Sequence, residues 1–177
     1  MKYWFTSDCH FGHENIIKYT KRPFKTLEEM NNTIATNWNS RVKPEDTVFH
    51  IGDFCFKNSP NGKEGAIHPS SFYEKQLNGK IIFIKGNHDN NNSTNAIIDN
   101  AEIHYGGMDI FITHNPLDAD VFFKMNLVGH VHDKWKSEIM HGHGLDTVLV
   151  NVGVDVWGFK PISIEEILKE YQRRLNG

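Results

Sequence analysis

The apolar positions of this 177-residue chain change period several times, and each change marks an element. Lys2 to Ser7 is aromatic and β-branched, a short strand that runs straight into Asp8 and His10. Glu14 to Tyr19 predicts a short helix. Beyond it Leu27, Met30, Ile34, Trp38 and Val42 recur at helical spacing behind a Thr26/Glu29 capping box, so a longer helix lays one apolar stripe on a sheet. Pro44-Glu45-Asp46 turns the chain into Thr47–Ile51, a strand that stops in Gly52-Asp53. Phe54 to Gly65 reads as loop, with turn chemistry at Asn58-Ser59-Pro60-Asn61-Gly62. Ser71 with Glu74 predicts another capped helix, closed by Asn78-Gly79.

The apolar run Ile81–Ile84 predicts a buried strand that breaks into Lys85-Gly86-Asn87-His88-Asp89. Asn90 to Asn95 predicts an exposed polar loop leading to a short helix near Ala96–Ile98. Glu102–Tyr105 and Met108–Thr113 form a hairpin through Gly106-Gly107, and the second strand ends in His114-Asn115-Pro116. A strand around Asn126–Val128 ends in Gly129-His130-Val131-His132. Residues 141–146 read as a flexible turn before the strand Thr147–Val152. Ser163 and Glu166 cap a closing helix whose buried face is Ile164, Ile167, Leu168, Tyr171 and Leu175. With no repeat or linker, residues 1–177 are expected to form a single α/β domain.

Composition narrows the classes. At 38% hydrophobic and 23% charged residues, the chain suits a globular domain with its own core. No apolar run approaches the roughly 20 residues of a membrane span, and the first residues turn polar too soon for a secretory signal. Cys9 and Cys55 build no disulfide framework. A cytoplasmic protein without membrane association is expected, and no protein partner is evident. The net charge of −3 argues against a general nucleic-acid coat protein. It leaves a phosphate substrate open, because bound cations would invert the local sign. The eleven histidines matter more, since several adjoin glycine or aspartate.

Five strand ends carry metal-ligand chemistry: Asp8/His10, Asp53, Asn87/His88, His114 and His130/His132. Residues i and i+2 of an extended segment share a face, so Asp8 and His10 can reach one ion. Open α/β sheets bind ligands at the carboxyl ends of their strands. Any single fragment is also an ordinary turn; five in succession point to a metal centre.

The set resembles the calcineurin-like metallophosphoesterases, whose blocks are Asp-x-His, Gly-Asp, Gly-Asn-His-Asp/Glu, a His-ended strand and Gly-His-x-His. All five occur here in that order between Asp8 and His132. The resemblance implies a fold of two packed mixed sheets flanked by helices, a four-layer αββα sandwich. It implies a dinuclear centre with Asp8, His10 and His132 on one ion, Asn87, His114 and His130 on the other, and Asp53 bridging. A mixed carboxylate, imidazole and amide set suits Mn²⁺ first, with Fe, Zn or Ni as alternatives, over an all-oxygen Mg²⁺ site. Hydroxide would attack phosphorus while His88 protonates the leaving oxygen, with Asp89 orienting its ring. Phosphodiester hydrolysis of a nucleotide or nucleic-acid end is the expected activity. Phosphomonoesterase activity and a catalytically silent scaffold, like the retromer subunit that resembles this family, are the alternatives.

Asn115 stands where many relatives carry glycine, so the backbone there is expected to differ. The tail Asn151–Trp157 with Lys160-Pro161 resembles a small prokaryotic and phage-type branch. In the basic segment Lys18–Lys25, Arg22 beside Phe24 is expected to bind substrate phosphate, as is Asn87; a solvated helix end is the plainer reading of the segment. His50 is expected in the core. His13, His141 and His143 are open between site and loop, and Cys9 and Cys55 are small fillers.

Overall fold

A computed structural model describes residues 1–56, 68–89, 96 and 98–176. The turn expected at Asn58–Gly62 and the polar loop Asn90–Asn95 lie outside the described residues.

Two mixed sheets form the body. In the first, β1 (Tyr3–Thr6), β2 (Thr47–Ile51) and β3 (Lys80–Ile84) run parallel in the order β3-β2-β1. A two-residue strand, β9 (Ile162–Ser163), joins β1 antiparallel. The second sheet contains β4 (Asn100–Tyr105), β5 (Met108–Thr113), β6 (Met125–Val128), β7 (Ser137–Gly142) and β8 (Leu145–Asn151), ordered β4-β5-β6-β8-β7. Its centre, β5-β6-β8, is parallel, and β4 and β7 are antiparallel edges. A parallel bridge from Ser7 to Gly153 joins the two sheets beyond the carboxyl ends of β1 and β8. The parallel strands of both sheets therefore finish at one edge of the sandwich, where all five motif blocks lie.

Alternation along the strands divides the core. Phe5 and Ile51 pack between the sheets with Ile110, Ile112, Leu127 and Val150. Trp4 and Val48 point the other way, against α2 (Leu27–Arg41), which buries Met30, Ile34 and Trp38. Each such side chain contributes roughly 1.5–3 kcal/mol when fully buried. Thr26 Oγ1 accepts the Glu29 amide at 3.1 Å and starts α2 as its sequence predicts. α1 (Glu14–Tyr19) lies where it is expected. In α4 (Ile164–Asn176) the Ser163 and Glu166 side chains each accept the other's amide. Its buried Ile164, Ile167 and Tyr171 close the inter-sheet core.

Four expectations change. α3 (Ser70–Glu74) starts after Pro69 with no side-chain cap, because Ser71 sits inside the first turn. Leu175 is 52% exposed, one turn beyond the last buried position of α4. Ile98, expected in a helix, bridges to Ile84 instead, and Ile97 lies outside the described residues. Residues 141–146 are no loose turn: β7 and β8 pair through Gly142↔Leu145, leaving only His143-Gly144 as the bend.

Asp46 ties the first sheet at its amino-terminal edge. Its carboxylate accepts from the Lys2 amide (2.7 Å), Trp4 Nε1 (3.0 Å) and the Lys43 amide (3.1 Å). The Trp4 indole first, and then these amides, hold the carboxyl down at about 2, against an ordinary 3.8. A depressed carboxyl stabilises the fold above its unfolded pKa and loses that stabilisation as pH falls towards its folded one. Asp46→Ala should therefore lower Tm at neutral pH, and the gap to the parent should shrink as pH drops from 3.8 towards 2. Thermal unfolding across that range checks this; a gap independent of pH would refute it.

Candidate metal centre

The parallel strands deliver their ends to one spot, and the backbone there leaves the strand conformation abruptly. Asp8, His10, Asp53, His130 and His132 all have positive φ, between 51° and 70°. That region costs a non-glycine residue about 1–3 kcal/mol and persists only where surroundings over-determine it. Here it lets residues that follow different strands converge on one hollow.

Two groups result. Asp8, His10 and His132 offer ligand atoms within 4.8 Å of one another, and so do Asp53, His114 and His130. Asn87 joins the second: its Oδ1 lies 3.1 Å from His114 Nε2 and 2.9 Å from His130 Nδ1. Asp53 Oδ2 stands between the groups, 3.6 Å from His10 Nε2 and 3.4 Å from His114 Nε2.

The imidazoles are fixed from behind. His114 Nδ1 donates to Ile51 O (2.8 Å), which leaves Nε2 facing Asp53 and Asn87. His132 Nδ1 lies 3.0 Å from Asp155 Oδ2, and its Nε2 faces Asp8. Such carboxylate or carbonyl partners are what orient metal-binding histidines. Asp8 is buried, with both oxygens accepting the His130 amide (3.1 and 3.0 Å) and Oδ2 accepting Ser7 Oγ (2.6 Å).

Electrostatics favours a cation. Burial pushes the Asp8 carboxyl up, and neighbouring Asp53 adds to this against the pull of His114 and His132. Burial would likewise raise Asp53, but the His114 hydrogen bond and the His10 and His114 charges hold it below the carboxylate range. His114 is pushed up to about 9: burial alone would lower it, and Asp53 with Asp8 overrides that. Buried His10 Nε2 faces this hollow without a hydrogen-bond partner among the described residues. A lone pair so placed, beside carboxylate oxygen and a second imidazole, suits a borderline divalent metal ion.

His88 is exposed at the mouth. Its amide donates to Asp53 Oδ1 (2.9 Å), and its ring lies 5.5 Å from the His10 ring and 6.4 Å from that of His13. His13 is buried, stacks on Phe56 at 4.4 Å and meets His10 Nδ1 at 3.3 Å. Burial first, then the His88 and Arg22 charges, lowers its pKa to about 4.

Two expected roles need correction. Asp89 does not orient the His88 ring. Its buried carboxylate accepts the Gly86 amide (2.7 Å), the Asp53 amide (3.0 Å) and the Phe54 amide (3.3 Å), which binds the end of β3 to the end of β2. Arg22 does not reach out for phosphate. Its guanidinium is buried and uses each of its N–H groups within the protein: bidentate to Asp155 (2.8 and 2.9 Å), to Asp8 O (2.7 Å), Cys9 O (3.0 Å) and Met30 Sδ (3.3 Å).

Asp155 and Asn151 are the participants that motif reading missed. Asp155 links Arg22 to His132. Asn151 Nδ2 donates to His132 O and Trp135 O, both at 2.8 Å, and so fixes the loop that carries His132. His50 is buried among Trp38, Phe54 and Phe83, as expected. Cys9 and Cys55 are buried, and burial pushes the Cys9 thiol up. His141 is exposed against Asp146 (2.6 Å), at the end of β8 remote from Asn151. His143 sits in the same distant bend, near Phe122. Asn115 caps a 3₁₀ turn at Pro116–Asp118 by accepting the Leu117 amide (3.1 Å), a hydrogen bond that glycine would not make.

Among the described residues no helix is long and apolar enough to cross a membrane. Comparison with known proteins shows the family. An uncharacterised protein of Methanocaldococcus jannaschii is 34% identical over 180 residues, spanning 95% of this chain and 90% of its own. The gene 66 protein of Mycobacterium phage L5 is 26% identical over 200 residues, spanning 93% and 91%. Among solved structures, a protein of unknown function from Aquifex aeolicus superposes with a TM-score of 0.69 at 27% identity, covering 95% of this chain and 98% of that one. The family profile of the calcineurin-like phosphoesterases matches residues 1–173. The chain belongs to that family, the calcineurin-like phosphoesterases.

Proposed function

We propose that this protein hydrolyses phosphodiesters at a dinuclear centre, with a nucleotide or nucleic-acid end as substrate. The observation that carries the reading is the Asp53 carboxylate standing between two convergent ligand groups. In it Asp8, His10 and His132 hold one divalent cation, Asn87, His114 and His130 hold the other, and Asp53 is shared. Mn²⁺ leads for this donor set, with Fe, Zn or Ni as alternatives. When bound, the cations supply an acidified water for attack on phosphorus and positive charge for the transition state.

The protein's own groups do the rest. Asp155 and Ile51 O hold the His132 and His114 rings with their Nε2 lone pairs inward. Asp53 Oδ1 holds the His88 amide, so the ring of His88 stands at the mouth, where it donates a proton to the departing oxygen. The His10 ring lies 5.5 Å from the His88 ring, edge to face, on the side of the ligand groups. Asp89 preserves the spacing of Asp53 from Gly86 on which His88 depends. Arg22 supports the diester over the monoester: with its donors spent internally, it offers nothing to a second phosphate charge.

With Mn²⁺ added, bis-p-nitrophenyl phosphate should turn over at least tenfold faster than p-nitrophenyl phosphate; a monoester preference would overturn the diester assignment. His88→Ala should retain both metal ions by elemental analysis while losing about 10²–10⁴ in turnover on esters with poor leaving groups. Esters of p-nitrophenol, which leave without a proton, should suffer much less; an equal loss on both would remove His88 from the acid role. Asp53→Asn should weaken binding of both ions in calorimetric titration. Unchanged stoichiometry and affinity would contradict the shared position.

A further inference from the structure

Beside His130, on the outer face of the second sheet, runs a groove of about 380 Å³. Its apolar wall includes Trp135, Met140 and Leu149, and its polar rim includes Asn115 and Glu138. His130 lines the groove and also turns Nδ1 towards Asn87 Oδ1, so the groove opens directly off the candidate centre. Its volume lies within the range of small-molecule sites, which pair apolar and aromatic walls with a few directed polar groups.

The groove is tied to the site by more than proximity. Asn151 Nδ2 donates to both His132 O and Trp135 O, so the strut that sets His132 also sets Trp135. Leu149, its floor, is 4% exposed on central strand β8. Asn115 is adjacent to His114, and its side chain fixes the Pro116–Asp118 turn along one bank. A ligand part reaching beyond His130 would therefore meet a preformed surface. That surface combines an indole, a thioether, an acceptor carboxylate and an amide. Aromatic stacking with edge hydrogen bonds is how a nucleobase is recognised.

We propose that this groove is a nucleoside subsite, and that it gives the centre its preference for nucleotide esters. The proposal rests on the phosphodiesterase reading for its catalytic meaning, while the groove can be tested by binding alone. With Mn²⁺ present, the protein should bind adenosine 5′-monophosphate at least about fivefold tighter than ribose 5-phosphate in calorimetry, the low end of one base–aromatic stack. Trp135→Ala should erase that difference, Trp135→Phe should keep it within about threefold, and Met140→Trp, which fills the groove, should erase it again. Binding of ribose 5-phosphate, which has no base, is the control measured on each variant.

Equal affinity for the two phosphates in the parent protein, or a base preference that survives Trp135→Ala, would overturn the proposal. So would a parent dimer that Met140→Arg splits without any base effect, since the groove would then hold a second copy of the chain. If the parent turns over no ester at all, the catalytic reading falls, and the difference between the two phosphates still decides the groove.

Discussion

Two carboxylates, Asp8 and Asp53, are buried side by side at the ends of adjacent parallel strands. An unpaired charge in such surroundings is prohibitively expensive, so the fold has to meet it with donors. Each donor comes from another part of the chain. Asp8 is met by the His130 amide beyond β6 and by Ser7, and Asp53 by the His88 amide beyond β3. His10 and His114 both bring their Nε2 atoms to Asp53 Oδ2, at 3.6 and 3.4 Å. Compensating these charges therefore joins the two sheets at one edge and assembles the site. A divalent cation in each group would complete what those donors begin.

That assembly needs unusual backbone. Five of the converging residues sit at positive φ, and Gly86 is required for a different reason. A Cβ there would fall onto the Asp53 carboxylate and amide. Asp89 holds the same juncture from below by accepting three amides, including those of Gly86 and Asp53. A local network thus holds the positive-φ residue Asp53 in place. Preorganised groups of this kind give up little on binding, which is what a site for a developing charge requires.

The sequence makes the participants legible and leaves their connections hidden. Strand-end motifs name all seven residues of the two groups because each needs only its own side chain and the end of its own strand. The α2 stripe and the two helix caps are equally local, and they form as the spacing predicts. Arg22 misleads for the opposite reason. Its basic neighbours suggest a solvated segment, whereas its carboxylate partner is 133 positions away and cannot be inferred from spacing. Asp89 misleads by adjacency, because standing next to His88 in the chain says nothing about where its oxygens point. β7 escapes because the His-Gly-His-Gly run resembles a loop, although only two of those residues make the bend.

The supporting contacts also make the two halves of the centre chemically unlike. His132 is backed by a carboxylate, Asp155, whose charge is in turn held by bidentate Arg22. His114 is backed only by a neutral carbonyl, Ile51 O. A carboxylate partner raises the basicity of an imidazole more than a carbonyl does, and Arg22 draws part of that charge away again. On the Asp8 side a carboxylate completes the set, and on the other side the Asn87 amide does. With Asp53 shared as proposed, the Asp8 half would be the more anionic and the Asn87 half the more neutral. Two cations held there would not be equivalent. One bound beside Asn87, less neutralised by its ligands, would be the stronger electrophile, on the side where His130 leads into the outer groove.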